Sequence, residues 1–322
     1  MCQEIRPNLF RIEIPLPKNP LKALNSYVIK GPERNLIIDT GMNREECLKA
    51  MQAGLIELSV NLNVTDFFIT HLHADHLGLV ANLASSTSKI YFNGPDAELI
   101  KFPSWEEEKH FAKIFGFPED ELEAAIAMHP GFKYGNTKKV DFEILKQDDV
   151  LSIGDYSFKC IETPGHSPGH MCLYDSSKKI LVSGDHILSN ITPNISLWGD
   201  DWDPLGVYLK SLDKVSILDV ELVLPGHRAL ITSCRERIQE LKLHHQERVD
   251  EILAILSRGN LNGYQVAAQM TWDMTYESWE MFPVTQKWFA TGEAIAHLKY
   301  LEGKGKVRRE TQQGKLVYTL AK

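Results

Sequence analysis

The chain has 322 residues, of which 43% are hydrophobic and 24% are charged, and its formal net charge is -8. This composition is typical of a folded globular protein and excludes wholesale disorder. The acidic balance provides no overall attraction to nucleic acid or to anionic membranes.

The N-terminal segment and the cysteines bear on where the protein works. Residues 1–14 lack the continuous apolar core of a secretory signal, and no apolar run is long enough to cross a bilayer. The five cysteines are scattered and include no Cys-x-x-Cys pair, which argues against a disulfide framework. We therefore expect a soluble, cytoplasmic protein that has no contact with membranes.

The first elements in chain order alternate between strand and helix. Strands are predicted over Leu9–Ile14, Ser26–Lys30 and Asn35–Ile38, because each is rich in β-branched or aromatic residues and ends in turn formers. A helix over Arg44–Leu58 and a strand over Thr65–Thr70 follow. This order predicts an α/β sandwich with functional residues on the loops at strand ends.

The middle of the chain changes composition. From about residue 95 to 138, Glu, Lys, Phe and Ala occur at helical spacing, which predicts a helical insertion. Strands then resume, and five are predicted: Lys139–Leu145, Tyr156–Glu162, Met171–Tyr174, Ile180–Ser183 and Glu221–Leu224.

The C-terminal region is predicted to form a small domain, residues 236–322, after a catalytic domain at residues 1–235. A capping box at Ser233 and Glu236 indicates the start of a long helix that runs to about Arg258. The remaining elements are two further helices and a hairpin: Tyr264–Met270, Thr291–Glu302 and the turn Gln313-Gly314. This is the order of a winged helix, and the lack of a Pro- or Gly-rich linker predicts that it packs against the catalytic domain.

Four potential metal ligands follow the strand Thr65–Thr70 within six residues. They are His71, His73, Asp75 and His76. Alternate residues point to different sides, so the first two can face one ion and the last two a second. One loop cannot close two coordination spheres, and further ligands are therefore expected at later strand ends.

Three later strand ends carry such residues. His166 follows Tyr156–Glu162, Asp185 follows Ile180–Ser183, and His227 follows Glu221–Leu224, each directly after a glycine. The alternatives are a polar surface loop for the His cluster and a turn or helix cap for Asp185.

These residues resemble the metallo-β-lactamase superfamily from about Leu9 to His227, and the segment Thr163–His170 is most similar to its glyoxalase II-like branch. The resemblance implies a four-layer αββα sandwich and two divalent metal ions. Zn²⁺ is the favoured ion, and Fe or Mn are the alternatives. Asp39 matches the family's aspartate that orients the ligands. The implied ligands are His71, His73 and His166 for one ion, Asp75, His76 and His227 for the other, and Asp185 for both.

The resemblance also implies a mechanism in which a hydroxide that bridges the metals is the nucleophile. Two ions bridged by Asp185 would lower the pKa of a shared water from ~15.7 towards neutrality. Asp75 is the predicted catalytic residue, which carries a proton towards the leaving group. His170 is expected to hydrogen-bond the ligands rather than to bind metal. The insertion and the segment Ile187–Trp198 are expected to wall the pocket.

Three functions remain open at this point. Hydrolysis of a small ester-like substrate, a thioester or a lactone, is the leading hypothesis, and cleavage of a phosphodiester in RNA or a nucleotide is the second. The tail resembles proteins related to β-lactamase-like endoribonucleases, although the net charge does not favour a long polyanion. The third is a ligand-sensing DNA-binding regulator, because Lys304, Lys306, Arg308 and Arg309 form a basic run in the predicted wing.

Acidic residues close to that run, among them Glu293, Glu302 and Glu310, argue against DNA binding. The alternatives for the basic run are a solvated strand face or the interface of a homodimer.

Overall fold

The computed structural model describes residues 2–101, 105–135, 140–197, 199–273 and 276–321. Within these residues two β-sheets face each other across an apolar layer, and further apolar layers join each sheet to helices on its outer side. The predicted α/β class and the four-layer αββα sandwich are therefore confirmed.

The first sheet has seven strands whose spatial order follows the chain. β1 to β4 pair antiparallel and β4 to β7 pair parallel, so the carboxyl ends of the last four strands meet at one edge. The strands are β1 (Cys2–Arg6), β2 (Leu9–Pro15), β3 (Ala23–Lys30), β4 (Asn35–Ile38), β5 (Thr65–Phe68), β6 (Ile90–Asn93) and β7 (Glu143–Leu145).

The second sheet has five strands: β8 (Val150–Ile153), β9 (Tyr156–Glu162), β10 (Met171–Asp175), β11 (Ile180–Gly184) and β12 (Leu222–Pro225). They lie in the order β12-β11-β10-β9-β8. β11 and β12 pair parallel and the other pairs are antiparallel. The carboxyl ends of β9, β11 and β12 therefore point to the same edge.

Helices cover the outer faces because their apolar stripes pack on the sheets. The first sheet carries α1 (Glu45–Glu57), α2 (Ala74–Leu77), α3 (Val80–Leu83) and α4 (Gly94–Lys101). The rest of the helical insertion consists of α5 (Trp105–Ile114), α6 (Glu119–Met128) and α7 (Pro130–Tyr134). The second sheet is covered by α8 (Pro204–Ser216) and α9 (Cys234–Leu256).

After α9 the chain forms β13 (Leu261–Asn262), α10 (Gly263–Ala267), α11 (Val284–Gly303), β14 (Val307–Gln312) and β15 (Lys315–Leu320). The hairpin β14–β15 turns at Gln313 and Gly314, which both have the positive φ that a tight two-residue turn needs. α11 packs against α6, α8 and α9, so this region shares one apolar core with the second sheet. The predicted boundary after residue 235 and the winged-helix likeness stay predictions.

Some predicted elements need correction. The strands β1, β6, β8 and β13 were not predicted, the strand predicted from Lys139 is confined to Glu143–Leu145, and Lys139 itself lies outside the described residues. α11 begins well before the predicted start at Thr291, because its small buried residues obscure the apolar periodicity. The capping box is wrong: the helix does follow Ser233, but the backbone of Ser233 is not extended and its side chain makes no cap hydrogen bond.

Two further findings concern the membrane and the thiols. In the part of the chain that the structure describes, none of the helices combines the length and the apolar character that a bilayer crossing requires. All five cysteines are free thiols, and four of them are buried.

Candidate metal centre

The predicted ligands lie at the edge where β5, β9, β11 and β12 end. The loop after β5 leads into α2, whose first turn carries Asp75 and His76. The structure brings all seven predicted ligands together in three groups, in each of which the ligand atoms lie within 4.8 Å of one another. The groups are His71, His73 and His166; His71, His76 and Asp185; and Asp75, His76 and His227.

Three of the histidines have one ring nitrogen fixed and the other left bare. The Nδ1 atoms of His166 and His227 lie 2.7 Å from the carbonyl oxygens of Asn194 and Ala23. A carbonyl only accepts hydrogen bonds, so each Nδ1 carries the proton and donates it. The Nε2 atoms of His76, His166 and His227 are buried and have no hydrogen-bond partner.

Asp185 lies among these bare nitrogens. Its Oδ1 is 3.5 Å from Nε2 of His76, and its Oδ2 is 3.4 Å from Nε2 of His227 and 3.7 Å from Nε2 of His166. Burial opposes the charge of this carboxylate, but His227 and His76 outweigh burial and hold the pKa of Asp185 well below its usual range. One carboxylate therefore faces ligands of both predicted ions.

The centre favours positive charge on its Asp75 side. Burial lowers the pKa of His227, yet the carboxylates of Asp185 and Asp75 outweigh burial and raise it to about 10. Burial acts in the same direction on His76, where Asp39 and Asp185 raise the pKa well above its usual value. Unpartnered imidazole nitrogens and carboxylate oxygens therefore lie together where the electrostatic potential favours a cation. Such nitrogen and oxygen donors are typical ligands of a divalent cation. The residues present therefore fit a metal.

The other side of the centre is a cluster of neutral imidazoles. Nε2 of His71 lies 3.0 Å from Nδ1 of His73, and His71 is completely buried. Burial lowers the pKa of His73 to about 3, and burial also lowers the pKa values of His71 and His166. These rings are neutral at physiological pH, as metal ligands must be.

Asp39 orients the loop that follows β5. It is buried, and its carboxylate accepts hydrogen bonds from Nδ1 of His76 at 2.7 Å and from the backbone N–H of Thr70 at 2.9 Å. Its φ of 58° is left-handed, a conformation that Asp and Asn adopt more readily than most residues. The orienting contact implied for Asp39 is therefore present.

His170 makes a hydrogen bond next to the centre, as expected. Its Nε2 accepts from the backbone N–H of Asp185 at 3.1 Å, and its Nδ1 lies 2.8 Å from Oγ1 of Thr163. This pairing fixes the start of the loop that presents Asp185. The ring of His186 packs against Tyr208, and His186 is completely buried.

Two glycines allow the ligand loops to approach each other. A Cβ on Gly226 would lie 2.5 Å from Oδ1 of Asp185, and a Cβ on Gly184 would lie 2.7 Å from Nε2 of His170. Both distances are too short for real atoms, so a side chain at either position would displace the centre. The backbone N–H of Gly226 donates to the carbonyl of Gly184 at 2.8 Å and joins the two strand ends.

Sequence reasoning missed Asp96, which ties two ligand loops together. This carboxyl is completely buried and accepts from the backbone N–H of Leu72 at 3.0 Å, from Oγ of Ser167 at 2.8 Å and from the backbone N–H of Gly169 at 2.7 Å. Burial raises the pKa of Asp96 to about 6, although the hydrogen bonds from these donors lower it. The available signal was its place just after β6, whose carboxyl end lies at the same edge as that of β5.

Aromatic side chains gather where the helical insertion meets α11. Ring centroids of Trp105 and Phe132 are 5.6 Å apart, and those of His129 and Phe289 are 5.2 Å apart. α7, which carries Phe132, packs against α2. The aromatic cluster (Trp105, His129, Phe132 and Phe289) thus joins the insertion to α11 next to the helix that carries Asp75. Trp198, predicted to wall the pocket, lies outside the described residues.

Two facing sheets with a buried His and Asp centre at their strand ends define a class of metal-binding α/β proteins. A family model described as Metallo-beta-lactamase superfamily matches residues 21–227, and one described as Metallo-beta-lactamase-like, C-terminal domain matches residues 280–321. The chain belongs to the metallo-beta-lactamase superfamily. It is accordingly a hydrolase of this superfamily, with His and Asp clusters able to bind metal.

Curated relatives cover most of the chain. A probable metallo-hydrolase of Bacillus subtilis is 28% identical over 288 residues, which are 86% of this chain and 86% of that protein. The atrochrysone carboxyl ACP thioesterase of Emericella nidulans is 26% identical over 259 residues, 80% of this chain and 67% of that protein.

Solved structures match almost the whole chain. A metallo-beta-lactamase family protein of Thermus thermophilus has a TM-score of 0.83 at 25% identity and covers 98% of this chain and 100% of its own. A beta-lactamase domain protein of Burkholderia ambifaria has a TM-score of 0.87 at 23% identity, with 99% and 94% covered. The second match shows the fold alone.

Proposed function

We propose that the chain is a hydrolase that holds two divalent ions and cleaves a small ester-like substrate such as a thioester or a lactone. Zn²⁺ is the ion that we favour for both positions. The observation that carries this proposal is the convergence of the unpartnered Nε2 atoms of His76, His166 and His227 on the carboxylate of Asp185. Fe and Mn suit the same nitrogen and oxygen donors.

When bound, such a pair of ions supplies a hydroxide nucleophile at neutral pH and stabilises negative charge on a substrate oxygen. The chain's own residues then hold and move protons. Burial raises the pKa of Asp75, but His76 and His227 outweigh burial and lower it to about 2. Asp75 is therefore ionised, and we assign to it the catalytic role of passing a proton to the leaving group.

No protein nucleophile is proposed, because the nearby serines are engaged elsewhere. Oγ of Ser167 donates to Oδ2 of Asp96 at 2.8 Å, and Oγ of Ser183 donates to the carbonyl of Ile187 at 2.8 Å. The carboxyl that accepts from Ser167 also holds the backbone N–H groups of Leu72 and Gly169, and we assign it a structural role, while the carbonyl that accepts from Ser183 cannot act as a base.

An acyl substrate is supported by the aromatic cluster and by one relative. Trp105, Phe132 and Phe289 belong to an apolar cluster that includes α7, and α7 packs against the helix that carries Asp75; we assign this cluster to the binding of a hydrophobic acyl group. The Emericella nidulans relative is named a thioesterase. The net charge of -8 disfavours long polyanions.

The basic run in the C-terminal region gives little support to DNA binding. Both terminal nitrogens of Arg309 donate to the carboxylate of Asp200, each at 2.6 Å, and Nε of Arg309 lies 3.0 Å from Glu302. An arginine held by two carboxylates is not free to contact phosphates. The glyoxalase II-like branch, the cytoplasmic location and a homodimer stay predictions.

The test is a turnover screen with the full chain against a thioester, a lactone and a phosphodiester, before and after chelation. We expect turnover of a thioester or lactone that chelation abolishes and added metal restores. Turnover that survives chelation contradicts the proposal, turnover of the phosphodiester alone favours the nuclease hypothesis, and salt-sensitive binding of duplex DNA without turnover favours the regulator.

A further inference from the structure

The C-terminal helix α11 reaches the metal centre through Asn194. The backbone carbonyl of Asn194 accepts from Nδ1 of His166 at 2.7 Å. The side chain of the same residue donates from Nδ2 to the carboxyl of Glu293 at 3.0 Å and to the carbonyl of Phe289 at 3.3 Å. One residue thus connects a predicted metal ligand to two positions on α11.

The remaining hydrogen-bonding group of the Asn194 side chain is also engaged. Its Oδ1 accepts from Oγ of Ser196 at 2.6 Å. A Cβ on Gly292 would lie 2.8 Å from Oγ of Ser196, so α11 is in close contact with the segment that carries Asn194 and Ser196. With its amide hydrogens and its oxygen engaged, the side chain of Asn194 has one orientation, and its carbonyl is fixed with it.

Glu293 occupies a position that is costly for a carboxyl group. It is 7% exposed, and burial raises its pKa to about 7, although Arg248 and the bond to Asn194 oppose this shift. Burying a carboxyl group costs free energy unless the group makes a compensating contact. The bond to Asn194 is such a contact, and it points towards the metal centre.

We infer that Glu293 is a positioning residue for the metal centre: it fixes Asn194, whose carbonyl sets the orientation of the His166 ring. This inference rests on the proposed function, because it assumes that His166 binds an ion. Hydrogen-bond partners that orient a ligand typically change metal affinity by about 10–100-fold. The C-terminal region would then be part of the metal centre rather than an independent attachment.

The test compares Glu293→Leu with Glu293→Gln in the full chain, with zinc affinity measured by competition with a chromophoric chelator. Leucine removes the acceptor, and we expect one zinc ion to bind about 10–100-fold more weakly. Glutamine keeps an acceptor oxygen for Nδ2 of Asn194, so we expect its affinity to stay within about 3-fold of the unsubstituted chain. Glu302→Gln is the control on the same helix and is expected to leave zinc affinity unchanged.

A second variant keeps the test valid if Glu293→Leu does not fold. Asn194→Ala retains the backbone carbonyl but loses the amide bonds, and it should weaken the same ion to a similar extent. In the double variant the two losses should not add, because both act through one contact. Unchanged affinity in Asn194→Ala, or equal losses in the Leu and Gln variants, overturns the inference alone. A lack of zinc binding by the unsubstituted chain overturns the proposed function as well.

Discussion

Within the residues that the structure describes, two groups of buried histidines are built differently. In the metal centre, the Nε2 atoms of His76, His166 and His227 face the carboxylate of Asp185 without a hydrogen-bond partner. In the second group, between α9 and α11, Nδ1 of His245 lies 3.0 Å from Nε2 of His297.

In the second group, three of the four ring nitrogens of His245 and His297 are engaged, and Nε2 of His245 is buried without a hydrogen-bond partner. Nδ1 of His297 donates to the carbonyl of Glu293 at 2.8 Å, which leaves its Nε2 to accept from Nδ1 of His245. Burial, with Arg248 adding to it, lowers the pKa of His297 to about 4, so this pair is neutral. Burial of imidazoles is therefore not enough to make a metal site. The difference is that three bare nitrogens of the metal centre converge on the carboxylate of Asp185, whereas the pair of His245 and His297 leaves a single nitrogen bare.

The largest expected effect comes from Asp185→Asn, which removes the charge that both predicted ions share. Metal ions contribute several kcal/mol of transition-state stabilisation, and each 1.36 kcal/mol is tenfold in rate. We expect turnover to fall by about 10³-fold, with loss of bound metal measured by elemental analysis.

Asp175→Asn is the matched control, because Asp175 is also a buried aspartate and is the last residue of β10 in the second sheet. It accepts hydrogen bonds from the backbone N–H groups of Ser157, Ser177 and Lys178, each at 3.0 Å, and lies away from the ligands. We expect a loss of about 1–3 kcal/mol in the free energy of unfolding, with full metal content. Equal metal loss in both variants would show that the centre responds to stability rather than to its ligands.

A smaller effect is expected from Asp39→Asn. Asparagine tolerates the left-handed backbone at this position, so the substitution changes the partner of His76 without straining the chain. We expect metal affinity to fall by about 10–100-fold, measured by chelator competition. Metal affinity equal to that of the unsubstituted chain would show that Asp39 does not orient the ligands.

The smallest effect on the metal centre is expected from His297→Leu. This change leaves Nδ1 of His245 without its acceptor in a buried setting, which should cost about 1–3 kcal/mol of unfolding free energy. The loss of stability is measured by thermal and chemical denaturation. The metal content of the folded variant, measured in parallel, should equal that of the unsubstituted chain. A lost metal ion in this variant would break the distinction between the two histidine groups.

The sequence predicted the ligand side chains because imidazoles and carboxylates in short motifs at strand ends are chemically distinctive. The alternation of strand and helix patterns also predicted an α/β sandwich, and the family resemblance implied its αββα order. Whether each side chain binds metal stays a prediction. The carbonyls of Ala23 and Asn194 could not be predicted, because every residue has a carbonyl and only the fold decides which one meets a ring nitrogen.

Buried acidic residues were equally hard to recognise. Glu293 was interpreted as an acidic neighbour of the basic run, yet it is buried and contacts the loop that holds His166. Asp96 lies in the first turn of α4, where acidic residues are common in any helix. In both cases the role of the residue depends on hydrogen-bond partners that are distant in sequence, and local sequence patterns do not predict such partners.

The most direct test of the central claim is the metal stoichiometry of the full chain after apo-protein is loaded with zinc and freed of excess. We predict two ions per chain, and fewer in Asp185→Asn. A chain that retains less than one ion, or an Asp185→Asn variant that retains as much as the unsubstituted protein, would contradict the account.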